Sequence, residues 1–168
     1  QILIFFIFFV PSSFADQTIA YINIDNVISK SISGKKLLNK LNELEKAEIK
    51  KLTDKRKALT EKKDSLISKK KIISDSEFNN QFKQLQKELN KFKVEESKTL
   101  KELNAKKNKS ILEFLNFINP LIQDYMDKNS ISILIEKKNI FIARSNYDIS
   151  NKLINIIDQN KKEFKIEK

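Results

Sequence analysis

Leu52-Thr53-Asp54-Lys55-Arg56-Lys57-Ala58-Leu59-Thr60-Glu61-Lys62-Lys63-Asp64-Ser65-Leu66 is the stretch whose reading decides the fold. Its leucines recur every seven residues and almost everything between them is polar, the pattern by which a long helix presents one narrow apolar stripe. The register extends outward to Leu38 and Ile73, broken only by Glu45. A second run, Phe78, Phe82, Leu85, Leu89 and Phe92, steps by four and three and so also keeps one helix face apolar. Between the runs lies Ile73-Ser74-Asp75-Ser76-Glu77, in which Ser74 and Glu77 have the spacing of a capping box. From Lys35 to Phe117 there is neither Pro nor Gly. The spacing predicts two antiparallel helices of similar length with a turn near 74–76. Each is roughly 38 residues, or about 57 Å at 1.5 Å per residue. This is an arm rather than a globule.

The arm is also where the charge resides. It holds 23 Lys/Arg against 13 Asp/Glu, nearly all of the chain's net +11. Its first helix has about one strong apolar residue per heptad, fewer than the two of a stable coiled-coil seam. A weakly zipped, charged hairpin needs an anchor at its base. Lysines on such a helix are ordinarily a solvated face. The cluster Lys55, Arg56, Lys57, Lys62, Lys63, Lys69, Lys70 and Lys71, with few carboxylates near it in sequence, points instead to an acidic partner. Lys62, Lys63, Lys69, Lys70 and Lys71 are the candidate steering residues.

Composition narrows the chemistry. The chain contains no His and no Cys, and Gly34 is its one glycine. That removes the commonest general bases and metal ligands, every disulfide, and any glycine-rich phosphate loop. Carboxylate pairs such as Glu95 and Glu96 lie in the charged helix with no sign of a pocket. The expectation is a protein that binds rather than reacts, with no enzyme activity, cofactor or metal.

The two ends of the chain supply the body. Ile2 to Val10 is an unbroken apolar run followed by Pro11-Ser12-Ser13-Phe14-Ala15. Small residues at Ser13 and Ala15 suit a signal peptidase, with cleavage near Ala15/Asp16, and the run is shorter than the roughly 20 residues that span a bilayer. Since the sequence begins at Gln1 without a basic segment, residues 1–15 read as a signal peptide with an incomplete start. Thr18 to Asp25 reads as a buried strand, Asn26 to Lys30 as a short helical turn, and Ser31 to Gly34 as punctuation before the arm. After the arm, Ile111, Phe114, Ile118, Leu121 and Tyr125 carry a widening apolar stripe past Pro120, where a bend is expected. Ile131 to Glu136 and Ile140 to Ala143 form an expected hairpin across Lys137-Lys138-Asn139. Asp148 can cap a last amphipathic helix bearing Ile149, Leu153, Ile156 and Ile157, and the charged tail from Lys161 is expected to fray.

The predicted class is therefore α+β and helix-dominated, a long antiparallel helical hairpin on a small β body. The arm is residues 35–118, and the body is residues 16–34 with 119–168. Three strands make a thin core for one chain, so the body is expected to close by oligomerisation. Ile22, Ile24, Ile133, Ile135 and Phe141 are its candidate oligomer core.

In this order the segments resemble the Skp/OmpH family of periplasmic chaperones. The resemblance is carried by Ile19-Ala20-Tyr21-Ile22-Asn23-Ile24-Asp25, by Ser33-Gly34-Lys35 leading into a charged hairpin, by Ile131-Ser132-Ile133-Leu134-Ile135-Glu136, and by Tyr147-Asp148-Ile149-Ser150. It covers nearly all of the chain after residue 15. The family usually has Thr where Ser150 stands, and many members have arms richer in Gln, Arg and Ala. The resemblance implies a homotrimer with three arms around a cavity. It also implies an ATP-independent holdase that keeps unfolded outer-membrane β-barrel proteins soluble in the periplasm. Some members are credited with a basic patch that binds lipopolysaccharide, so the resemblance also implies anionic lipid or lipopolysaccharide as a further partner.

Two other classes compete. A basic nucleic-acid-binding protein would also use lysine-rich helices, but the apparent signal peptide, the single arm arginine (Arg56) and the lack of aromatic–basic interleaving on a sheet argue against it, and no nucleic acid is expected. A structural coiled-coil envelope protein is disfavoured by the broken first seam and by the terminal strands.

Overall fold

The structure is a computed structural model that describes residues 18–166. The apolar run Ile2–Val10 and the expected cleavage near Ala15/Asp16 lie outside the described residues. The elements, in chain order, are β1 (Thr18–Ile22), α1 (Ile24–Lys30), α2 (Ile32–Lys69), α3 (Asp75–Lys128), β2 (Ile131–Glu136) and α4 (Ser150–Gln159), with single 3-10 turns at Lys137–Asn139 and Ser145–Tyr147.

The hairpin forms as its periodicity predicts. Leu52, Leu59 and Leu66 of α2 are buried against Leu85 and Phe92 of α3, with Ile73, Phe78 and Leu89 packed beside them. Ser74 caps α3, its hydroxyl accepting the Glu77 N–H at 3.3 Å. The helices are not of similar length, however: α2 has 38 residues and α3 has 54. The return helix does not stop at the root of the arm. Its stripe of Phe114, Ile118, Leu121 and Ile122 joins the body core, so burial carries the helix through Pro120 to Lys128.

At the start of the arm, the expected punctuation is itself helical. Asn23 caps α1 through its side chain, which ends the strand at Ile22 and places Ile24 and Asp25 in the helix. Ser31, fully buried, caps α2 by accepting the Gly34 N–H at 3.2 Å. Gly34 therefore lies in the first turn of α2, pressed against the Ile28 carbonyl of α1. Asp158 of α4 adds a second cap to the same helix end, accepting the Ile32 N–H at 2.7 Å.

The β body differs from expectation. Among the described residues there are two strands rather than three, and they pair in parallel. Parallel pairing needs a long crossover, and here the whole arm supplies it. Ile140–Ala143 forms no strand: the 3-10 turn at Lys137–Asn139 leads the chain off the edge of β2, while the far edge of β1 is taken by Ile149, whose N–H donates to the Tyr21 carbonyl at 3.0 Å.

The pairing also shifts register between Thr18 and Ile19. Thr18 faces Ile131, but Ile19 faces Ile133, leaving Ser132 as an extra residue on β2. Because strand side chains alternate, one extra residue exchanges the two faces. Ile131 is buried in the core, and after the shift Leu134 rather than Ile133 joins the core side beneath Ala20 and Ile22.

The core beneath the sheet is built from Ala20, Ile22, Val27, Leu37, Phe114, Ile118, Leu153 and Ile157. One cross-chain bond pins its two halves: the Ser150 hydroxyl accepts the Asn23 N–H at 2.8 Å across 127 residues of sequence. Asp148 supports the start of α4 by accepting the Ser150 N–H at 2.9 Å, although Ile149 occupies the cap position. Residues 161–166 of the tail do not fray. It returns to the root of the arm and buries Phe164 against Phe114 and Phe117.

Candidate functional site

Two surfaces are built from the residues singled out in the sequence. The first is the distal arm. Leucines at seven-residue spacing hold α2 against α3, so the basic residues between them are turned to the flanks. There the cluster divides. Lys55 pairs with Glu95, Arg56 with Glu96, and Lys62 with Glu88 at 2.7 Å, all across the hairpin. These carboxylates lie 26 and 40 residues away in sequence, so the cluster has partners that sequence proximity did not reveal. Lys70 sits over the Phe78 ring at 5.5 Å, and Arg56 over the Phe92 ring at 5.9 Å. Among the described residues, Lys63, Lys69 and Lys71 form no ion pair and are exposed. Of the five candidate steering lysines, these three are the uncommitted positive charges.

The same arm carries apolar residues that the periodic reading passed over. Ile67, Ile72, Val94 and Leu112 are each more than half exposed, and Phe82, which the spacing puts on the apolar face, stacks on Phe78 yet is itself exposed. The first four lie off the seam register, and a large apolar residue out of phase with the stripe was the available signal. The seam itself is loose near the root. Glu45, the break in the heptad, lines a gap of about 130 Å³ with Leu38, Leu41, Leu44, Leu100 and Leu103. The arm thus offers dispersed apolar contacts and free lysines. No group of His, Cys, Asp or Glu suited to a metal occurs among the described residues.

The second surface is the outer face of the sheet, where the five candidate oligomer-core residues part company. Ile22 is buried in the chain's own core, and Ile24, partly buried, packs against that core. Ile133 and Ile135 lie on the opposite face because of the register shift; Ile133 is 46% exposed. Phe141 is fully exposed, and Ile142 is nearly so. Between them and β1 lies an open cavity of about 460 Å³ whose lining includes Ile19, Tyr21, Ile135, Ile142, Arg144 and Tyr147. This face is apolar and is left uncovered by the described residues.

No shifted titration marks a reactive group. Lys138 is raised by its hydrogen bond and charge interaction with Glu136. Glu163 is lowered by its hydrogen bond to Lys40 and by the charges of Lys40, Lys36 and Lys165. Both are structural ion pairs at the surface, each with one partly buried partner. No described helix is long and apolar enough to cross a membrane.

Comparison with known proteins agrees with this architecture. Residues 18–157 match the family model for outer membrane protein (OmpH-like). The crystal structure of an OmpH-like outer membrane chaperone from Caulobacter crescentus superposes with a TM-score of 0.77, covering 89% of each chain at 21% identity. At that identity the likeness concerns the fold. No curated protein sequence matches the chain.

Proposed function

Because the chain belongs to the OmpH-like outer membrane protein family, we propose that it is an ATP-independent periplasmic holdase and not an enzyme, one that binds unfolded outer-membrane β-barrel proteins and prevents their aggregation. The observation that carries this reading is the arm: a long hairpin whose flanks combine off-register apolar residues with unpaired lysines. Unfolded β-barrel chains expose alternating apolar residues and are prone to aggregate. A holder of such chains needs many weak, non-directional contacts. Ile67, Ile72, Phe82, Val94 and Leu112 supply these without forming a pocket. Lys63, Lys69 and Lys71 add long-range attraction for acidic clients, strengthened in a homotrimer, where three copies of +11 give +33.

The trimer is part of the proposal. Residues 16–34 and 119–168 act as its body and residues 35–118 as a free arm. The uncovered face of Ile133, Ile135 and Phe141 meets other copies, since an apolar sheet face of this kind is marginal when left in water. Anionic lipid or lipopolysaccharide remains a secondary partner for the same lysines.

The test is light-scattering mass of the chain from Asp16 to Lys168, alone and with a urea-unfolded outer-membrane β-barrel protein. Three chains alone, gaining one client without aggregate, is the expected result. A monomer or a two-chain rod that lets the client precipitate would overturn the reading in favour of a structural coiled coil. For steering, Lys63, Lys69 and Lys71 are changed together to Glu, leaving Lys62 and its Glu88 partner intact. Client capture slows and its salt dependence flattens while the mass is unchanged; an equal rate with an equal salt slope removes the steering idea.

A further inference from the structure

The tail after α4 is the part of the described chain that the family match does not reach. The match ends at Ile157, yet the residues beyond Asn160 make some of the longest-range contacts in the molecule. Phe164 is 4% exposed, and its ring lies 5.7 Å from that of Phe114 and 5.9 Å from that of Phe117. The Lys162 N–H donates to the Ser33 hydroxyl at 3.1 Å, and the Lys162 ammonium lies over the Phe117 and Phe164 rings. Lys40 donates both to the Glu163 carboxylate at 3.2 Å and to the Phe164 carbonyl at 3.1 Å. Phe164 and Ile166, two residues apart, both turn toward the core, as an extended segment places them.

These contacts fall on different bodies. Ser33 and Lys40 belong to the first turns of α2, Phe114 and Phe117 to α3, and the tail is continuous with α4, which packs in the body. A segment lying along one helix would add only local stability. A segment hydrogen-bonded to α2, packed on the rings of α3 and covalently joined to the body resists rotation of the arm about its root. The seam just beyond is poorly filled around Glu45, so the root contacts are the ones that fix the arm's direction.

We propose that residues 160–166 form a strap that clamps the root of the arm to the body, with Phe164 as its anchor and Lys40 and Lys162 as its ties, and that the strap limits how far the arm swings. The inference does not depend on the holdase reading, because swing is measured within one chain.

The chain contains no cysteine, so two can be introduced for spin labels without background. Asn90 in the arm and Asn155 in α4 are both exposed. The full chain carrying Asn90→Cys and Asn155→Cys, diluted with unlabelled chain, gives the intramolecular distance distribution by pulsed electron spin resonance. Adding Phe164→Ala, or deleting residues 161–168, is expected to widen the distribution at least twofold. Phe164→Leu, which keeps an apolar anchor, is expected to retain most of the native width. Unchanged widths in both the alanine variant and the truncation overturn the strap. The unaltered chain gives an independent reading by hydrogen exchange. The Lys162 amide is expected to exchange at least tenfold more slowly than an exposed amide, and exchange at the unprotected rate overturns the proposal even if the variants fail to fold.

Discussion

Replacing Gly34 with Ala separates helix propensity from tertiary contact, because the two predict opposite signs. Gly34 lies in the first turn of a 38-residue helix, and by propensity alone alanine would stabilise a helix interior by about 0.8–1 kcal/mol. The structure puts the backbone of α1 in the way. A Cβ at this position would collide with the Ile28 carbonyl oxygen and lie 2.8 Å from both the Ile28 carbonyl carbon and the Ser31 hydroxyl. The colliding atom is backbone and the Ser31 hydroxyl is committed to capping α2, so neither can rotate aside. Relief requires α1 and α2 to move apart, opening the core around Val27 and Leu37, both essentially inaccessible. Overpacking of this kind costs about 1–3 kcal/mol, and the contact with backbone places this case toward the upper end. Set against the propensity gain, the net loss is about 1–2 kcal/mol, which for a chain of this size lowers Tm by roughly 2–8 °C. The assay is thermal unfolding followed by circular dichroism, at matched chain concentration because assembly shifts Tm. A Tm equal to or above that of the parent would refute the close approach and with it the packing of α1 on the arm.

Other perturbations follow from the same contacts. Phe114→Ala removes a fully buried ring from the body core and is expected to cost about 3–5 kcal/mol, read by urea unfolding. Ser150→Ala strands the Asn23 N–H in the part-buried junction between the two halves of the body, at about 1–3 kcal/mol; an unchanged unfolding midpoint would show that the bond contributes nothing. Ser74→Ala removes the cap of α3 at the tip of the arm, at about 1 kcal/mol. Its effect should appear as faster amide exchange around Glu77, with the body unaffected. Acid should loosen the strap. Glu163 is held below the usual carboxylate range by Lys40, with Lys36 and Lys165 adding to the effect. Its contribution is therefore fully present above the ordinary value of 4.5 and is lost as pH falls through the lowered value in the folded chain. The protection of the Lys162 amide relative to its intrinsic exchange rate at each pH should fall in that acid window in the parent chain, while Glu163→Gln shows no such step.

The sequence by itself determined the arm. Leucines seven apart, the Ser74–Glu77 cap and the absence of Pro and Gly specify two helices, their turn and the seam between them, and the structure places Leu52, Leu59 and Leu66 in that seam. These features are legible because helix periodicity and capping are set by residues three to seven apart. The order of segments, strand, arm, strand and last helix, was legible for the same reason.

What only the tertiary structure decided lies in contacts between distant residues. The run Ile131–Glu136 reads as a strand, but which of its side chains faces the core depends on one bulged residue opposite β1, and that turned Ile133 outward and Leu134 inward. Ile140–Ala143 has the composition of a strand but finds no strand partner among the described residues. The lysine cluster acquired Glu88, Glu95 and Glu96 from the opposing helix, leaving Lys63, Lys69 and Lys71 free. The tail beyond Asn160 reads as a charged terminus, yet it is held by Phe164, a lone aromatic whose pocket is formed by residues about fifty positions earlier in the chain. Two apolar residues at an alternating spacing, Phe164 and Ile166, are too short a pattern to stand out in a charged segment, and only the folded chain brings their partners together.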